Sequence, residues 1–303
     1  MNPVTCFESV EVGHPFRLVG QEPQADGGLI WQPPSYRATS RGQTSISHPV
    51  LRIPGCAIGY FSIHNRSSAA AVLGLGVRIP NHLWRAGSWT NATTTYADDT
   101  TDAQTIDSGT PKFPLETTSN SDGHIIFSRV PFNAISYRIG TASVVGTSMT
   151  HAFAYSDPEG DAWTANTNTF VTDFITTALA ATTTNATEAL HVFDVPTDWG
   201  RTTPAGAATL ATGAPVGYYG YRIIADDAPD TTAAVADSLA IFRLFFLTEA
   251  VADNGTMSQD FGAKDFVMAV DPNTGELYGD ALVALCSVVT APQNRVVVQV
   301  RGR

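Results

Sequence analysis

With 303 residues, 43% of them hydrophobic and 15% charged, the chain is long enough for one large β domain or two ordinary ones, since domains usually run to about 100 to 200 residues. A net charge of −11, from 17 basic against 28 acidic residues, excludes the clustered Lys and Arg by which proteins hold nucleic acid or anionic lipid, so neither nucleic acid nor a membrane is expected as a partner. Lys112 and Lys264 are the only lysines, and the arginines are spread singly along the chain, so no basic patch is expected.

Residues 1 to 48 carry "HPF", "QEP" and "QPPSYRATSRGQTSIS", a Pro, Gly and Ser mixture without sustained periodicity, and predict an extended N-terminal arm. From 49 to 250 the pattern is that of strands. "LRIPGCAIGYFSIHN", "AAAVLGLGVRIP", "HIIFSRV", "AISYRIGTASVV", "THAFAYSD", "ALHVFDVP", "YYGYRIIAD" and "SLAIFRLFFLTEAV" are rich in β-branched and aromatic residues and bounded by Pro, Gly, Asn and Asp. So many short strands predict an all-β fold, an antiparallel β-sandwich or jelly-roll-like domain. Tyr219, Tyr221 and Ile223 alternate with Gly220 and Arg222, which predicts one apolar face and one that meets solvent or a partner. "IFRLFFL" (241–247) is more fully apolar and predicts a central strand in which Arg243 needs a carboxylate or carbonyl partner. The Ala/Thr tracts at 176–190 and 202–215 predict surface loops, because β-branched Thr lowers helix propensity. The polar stretch 248–266 marks a boundary, and 251–303 predicts a small C-terminal β unit with a turn at "DPNTGE" (271–276).

Cys6, Cys56 and Cys286 are odd in number, distant and without C-x-x-C, so neither a disulfide framework nor a zinc ribbon is indicated. The N-terminus lacks a basic stretch followed by an apolar core, and no run of about 20 apolar residues suggests a membrane span, so folding in a cytoplasm is expected. The sequons at Asn65, Asn91, Asn185 and Asn254 are expected to stay unmodified.

Few residues suggest chemistry. In "WRAGSWTNATTTYADDTTDAQ" (84–104), Trp84, Trp89 and Tyr96 are candidates for contact with a partner or a glycan, set against the blander reading that they cap a sandwich core at a loop-rich rim. Asp98, Asp99 and Asp102 fall short of the six to eight oxygens calcium takes, and a solvated loop is favoured. No metal is expected; were one bound, the first place to look is "SDPEGD", where Asp157, Glu159 and Asp161 alternate around Pro and Gly, although a turn with exposed acids is the preferred reading. The seven histidines form no H-x-x-x-H pair. No nucleophile motif, phosphate loop or dinucleotide fingerprint is present, so neither an enzyme nor a cofactor is expected, and a two-carboxylate glycosidase is the residual enzymatic alternative.

The segment 84–143, with its W-x-A-G-x-W opening, T-T-D-A-Q and S-D-G turns and P-F-N-A-I-S strand, followed by "FDVPTDW" (193–199) and "GYYGYRI" (217–223), resembles β-sandwich modules of tailed-bacteriophage virion proteins. The stretch 266–301, a D-P-x-T-G turn before strands that end in an alternating Val/Arg run, is similar to the terminal β unit of capsid decoration proteins. The resemblance implies a virion structural protein of capsid decoration (cement) or head-fibre type, assembled in the host cytoplasm. Its implied partners are the major capsid protein or other virion proteins and further copies of itself, a trimer being one form. A tail or head-fibre module that binds host glycan is the alternative it leaves open.

Overall fold

The computed structural model describes residues 57–65, 69–105, 113–115, 122–141, 151–167, 169–171, 187–225 and 235–260, together with short separate strands between 7 and 51 and between 266 and 302. Antiparallel strands dominate, and the helices among the described residues are single turns at Asn81–Leu83, Asn91–Thr93, Thr100–Gln104 and Gly206–Leu210. The fold is all-β, as the alternation of side chains predicts. Two compact units are formed, one from residues 1–79 and 243–303, the other from 80–242.

The unit 80–242 is a β-sandwich. Its first sheet has six strands in the order Thr95–Asp98, Trp84–Thr90, Gly123–Ser128, Tyr219–Ala225, His151–Ser156, Trp163–Ala165. The other layer holds Thr169–Val171, Thr187–Phe193, Ala134–Thr141 and the part of the long strand Val235–Val251 up to Phe242. Register fixes which side chains share a face, because neighbours along a strand point to opposite sides. Ser88, His124 and Ile223 stand opposite one another, as do Ala86, Ile126 and Tyr221. This face meets the second layer: Tyr221 stacks on Phe193 with ring centroids 4.1 Å apart, and Phe132 and Trp199 pack edge-on or tilted around them. Such ring pairs add roughly 0.5–1.5 kcal/mol each beyond the apolar area they bury.

The opposite face of the six-stranded sheet is also covered. Every residue of Gly123–Ser128 is buried, which a strand with one wet face would not be. Trp89, Tyr96, Ile125, Phe127, Ala211 and Tyr218 form a second core there, with Trp163, Ala214 and Ile224 against it. Its lid is the segment 200–217, of which the sequence predicts 202–215 to be a surface loop. Gly206–Leu210 forms one helical turn that buries Ala207 and Leu210, and Trp163 Nε1 donates to Leu210 O at 3.0 Å. The lid is also stitched to the first strand of the sheet, Tyr96 N donating to Thr212 O and Thr212 N to Thr94 O, each at 2.9 Å. Gly220 leaves room for this packing, since a Cβ there would stand 2.9 Å from Phe127 Cε1 and 3.2 Å from Trp163.

In the other unit one sheet runs Thr256–Asp260, Ala57–Asn65, Val296–Gly302, Ser35–Thr39, with Phe266–Val267 also paired to Ala57–Asn65. From Arg243 onward the long strand is followed in its sheet by Ala71–Arg78, Ala281–Cys286 and Pro49–Leu51. "IFRLFFL" is therefore interior to a sheet, as predicted. Asn65 is fully buried, and its Nδ2 donates to Ala69 O at 2.7 Å and Val251 O at 2.8 Å, tying two turns together.

The compact units do not follow the boundaries drawn at 48/49 and 250/251. The reason lies in pairing that is remote in sequence: Val297 faces Thr39 on one side and His64 on the other, so the C-terminal strand lies between two from the first 65 residues. The polar stretch 248–266 is not a plain linker, since it completes one strand and contains another, Thr256–Asp260. Most of the arm 1–48, the tract 176–190 up to its strand at Thr187, and the turn 271–276 lie outside the described residues.

Candidate functional site

Trp84, Trp89 and Tyr96 are 1%, 2% and 5% exposed. Their strands aim all three inward: Trp84 shares a face with Ala86 and Ser88 toward the second layer, while Trp89 and Tyr96 stand opposite each other in register beneath the lid. Tyr96 meets Phe127 edge-on at 5.1 Å, and burial raises its phenol well above the ordinary tyrosine value, with the Asp98 charge adding to the effect, so it stays neutral. None of the three offers a surface to a glycan or partner, which corrects that reading. The stretch is also less of a loop than predicted, because both tryptophans lie in a regular strand and Thr100–Gln104 is helical.

The acidic candidates are bound up in local structure. Asp98 Oδ2 accepts from Arg85 Nη1 at 3.2 Å, and Asp99 Oδ2 accepts from Ser88 N and Ser88 Oγ at 3.1 and 2.9 Å. Asp157 Oδ1 accepts from the backbone N–H groups of Asp161 and Ala162 at 2.9 and 3.0 Å. Slight burial pulls the Asp157 carboxyl upward, but the N–H groups of Ala162, Asp161 and Gly160 together hold it below its ordinary value. Gly160, at φ +71°, makes the turn that Glu159 and Asp161 leave exposed. Asp157, Glu159 and Asp161 therefore do not converge, and among the described residues no three His, Cys, Asp or Glu side chains are grouped to hold a metal. The turn reading of "SDPEGD" is what forms.

Two constellations were not legible beforehand. Under the lid, Arg222 lies between two indoles, its Cζ 5.2 Å from the Trp89 ring and 4.8 Å from the Trp163 ring. Burial lowers it to about 10, and its buried Nε has no hydrogen-bond partner among the described residues. The face alternating with Tyr219, Tyr221 and Ile223 is thus an internal face with a cation held by aromatic quadrupoles, not a wet one.

The second constellation is at the surface. Arg85, Arg129 and Arg201 are exposed and gather around Tyr218 and Tyr219. Arg129 Cζ lies 5.5 Å and Arg85 Cζ 5.9 Å from the Tyr218 ring, and Arg201 Cζ lies 4.9 Å from the Tyr219 ring. Arg129 Nε donates to Tyr218 Oη at 3.2 Å, and Arg201 Nη2 donates to Arg129 O at 3.1 Å. Arg85 is paired with Asp98, while among the described residues Arg129 and Arg201 have no carboxylate partner. A basic patch therefore exists where none was expected. Ser128 stands in register with both Trp84 and Tyr219, and that one alignment assembles arginines 44 and 72 positions apart in sequence. Only strand register carries this information, and single-residue spacing does not.

No described helix is long and apolar enough to cross a membrane. No protein-family model, no curated protein and no solved structure matches this chain.

Proposed function

We propose that the chain is a non-enzymatic structural protein of a tailed-bacteriophage virion, a capsid decoration or cement protein that binds the major capsid protein and associates with further copies of itself. The resemblance of 84–143, 193–199, 217–223 and 266–301 to virion modules is what favours a virion as the assembly. The observation that carries the structural role is where the chemistry-bearing side chains go. His124 bridges Leu115 O and Tyr137 Oη inside the sandwich, Asp99 and Asp157 brace turns, and the tryptophans of the 84–104 stretch fill cores. Side chains committed in this way build a rigid block that acts through its surface. A protein that binds only the assembled lattice stabilises it by mass action, which is the physical basis of cementing.

The test is the copy number of the chain in purified particles by quantitative mass spectrometry. On the order of hundreds of copies, as expected for a protein bound across a lattice, supports decoration, and complete absence from particles refutes the virion reading. A few copies would move it to a vertex or the tail. The glycan-binding alternative has lost Trp84, Trp89 and Tyr96 as its contact surface and is not carried further.

A further inference from the structure

We infer that the surface formed by Arg129, Arg201 and Tyr219, together with the acidic turn beside it, is a self-complementary contact by which the 80–242 unit binds a second copy of this chain. This rests on the self-association in the reading above and names the surface that performs it.

Three observations lead there. First, Arg129 and Arg201 are exposed cations without carboxylate partners among the described residues, on a chain whose net charge is −11. Second, this pair borders exposed acids. The turn 157–162 links the last two strands of the six-stranded sheet, and its backbone lies against the segment that carries Arg201: a Cβ on Gly160 would stand 2.0 Å from Arg201 O, and Thr203 N donates to Gly160 O at 3.4 Å. Glu159 and Asp161 on this turn are exposed, and no ion pair joins either to Arg201. Third, the guanidiniums are already fixed in place. Arg201 is held over Tyr219 and hydrogen-bonded to Arg129 O, and Arg129 is hydrogen-bonded to Tyr218, so little side-chain freedom is lost on binding.

A positive and a negative patch side by side on one surface pair with themselves under a two-fold axis, the arginines of each copy meeting Glu159 and Asp161 of the other. Tyr219, half-buried beside Arg201, supplies the aromatic edge that such contacts favour, while the buried Tyr218 holds Arg129 in place from beneath. Overall like charge opposes association, increasingly so at low salt, and local complementarity must overcome it; ionic strength alone is therefore not the test.

The experiment is a charge swap, read as mass in sedimentation velocity at concentrations up to about 100 µM, well above the micromolar range of small polar interfaces. The full-length wild type is expected to form dimers. Arg129→Glu with Arg201→Glu, and separately Glu159→Arg with Asp161→Arg, are each expected to be monomeric and still folded by circular dichroism; the arginine pair gives up its contacts with Tyr218, Tyr219 and Arg129 O, so a small fall in its melting temperature is expected. An equimolar mixture of the two swapped proteins is expected to regain the dimer mass, each negative surface meeting a positive one. A wild type that is monomeric throughout, swapped proteins that associate like wild type, or a mixture that stays monomeric overturns the inference. Binding of soluble polyuronate to Arg129 and Arg201 with no change in mass assigns the patch to an anionic sugar and overturns it too. A monomer still found on particles refutes this contact and leaves the virion role in place, and a dimer absent from all particles does the reverse.

Discussion

Lowering the pH from neutrality is expected to destabilise the 80–242 unit through His124. Its ring is 1% exposed, between Phe113 and Tyr137 at 5.9 and 5.4 Å. A backbone carbonyl can only accept, so Nδ1–H donates to Leu115 O at 2.8 Å, and Nε2 is left to accept the Tyr137 hydroxyl at 2.9 Å. Both nitrogens are satisfied in the neutral ring. Burial lowers the imidazole to about 4, the Leu115 carbonyl pulls the other way, and His151 lowers it further. Because the folded value lies below the unfolded one, the unfolded chain takes up the proton first. The stability involved is fully present above pH ~6.5 and is lost as pH falls toward the folded value of about 4.

Linkage between these two values gives a loss of about 2 kcal/mol from pH 7 to pH 5, rising to about 3 kcal/mol below both. His151, half-buried and also lowered to about 4 by burial, adds a smaller loss of the same sign. Urea unfolding of wild type and His124→Gln at pH 7, 6 and 5, followed by tryptophan fluorescence, measures it. Glutamine keeps a donor and an acceptor but does not titrate, so any packing cost appears as an offset independent of pH. The wild type is expected to lose stability faster than the variant by about 2 kcal/mol across this range. Parallel profiles would refute the reasoning, since they would mean that His124 is either charged or wet in the folded protein.

Trp163→Ala removes both the Leu210 hydrogen bond and one side of the Arg222 sandwich; it should cost about 2 kcal/mol and speed proteolysis within 202–217, and unchanged cleavage there would show that the lid is held by other contacts. Arg222→Met should stay within about 1 kcal/mol of wild type, because it exchanges two cation–π contacts for relief of a half-buried charge with no carboxylate beside it, and a large fall in melting temperature would refute that balance. Asn65→Asp replaces the donor shared by Ala69 O and Val251 O with a buried acceptor and should lower denaturation free energy by about 2 to 4 kcal/mol. Asp157→Ala should loosen the 157–162 turn at a cost of about 1 kcal/mol. Calcium should leave the melting temperature of the wild type unchanged, and a clear rise that Asp157→Ala abolishes would restore the carboxylate site.

Much of the sandwich was legible because its strands obey a period of two with β-branched and aromatic residues on the inward positions, as in "HIIFSRV" and "AISYRIG". Their lateral order was not, since Val297 between Thr39 and His64 is a pairing across more than 200 positions, and no local pattern encodes it. The arginine cluster failed to show for the same reason. The tract 202–215 misled in a different way. Its Ala and Thr content does disfavour a long helix, and only one turn forms, but low helix propensity does not mean exposure: Leu210 and Ala211 are buried, and Ala211 belongs to the second core with Ala214 against it.

That second core also explains why alternation is a weak guide to which face of this sheet meets a partner. A two-layer sandwich leaves each outer face to solvent, and Gly220 and Arg222 fit such a face. Here a third layer, the lid, lies across it, and small residues are what admit it: Gly220 makes room for Phe127 and Trp163, while Ala154 stands next to Arg222. A lone Arg in such a row is tolerable because indoles on both sides accept its charge without a carboxylate. The pattern of one cation among small residues and aromatics therefore fits a covered face as well as a wet one, and the presence of a Thr/Ala/Gly tract able to lie flat decides between them. With both broad faces of the six-stranded sheet closed, contacts with other molecules are left to its ends and edges, where Arg129, Arg201 and the 157–162 turn are found.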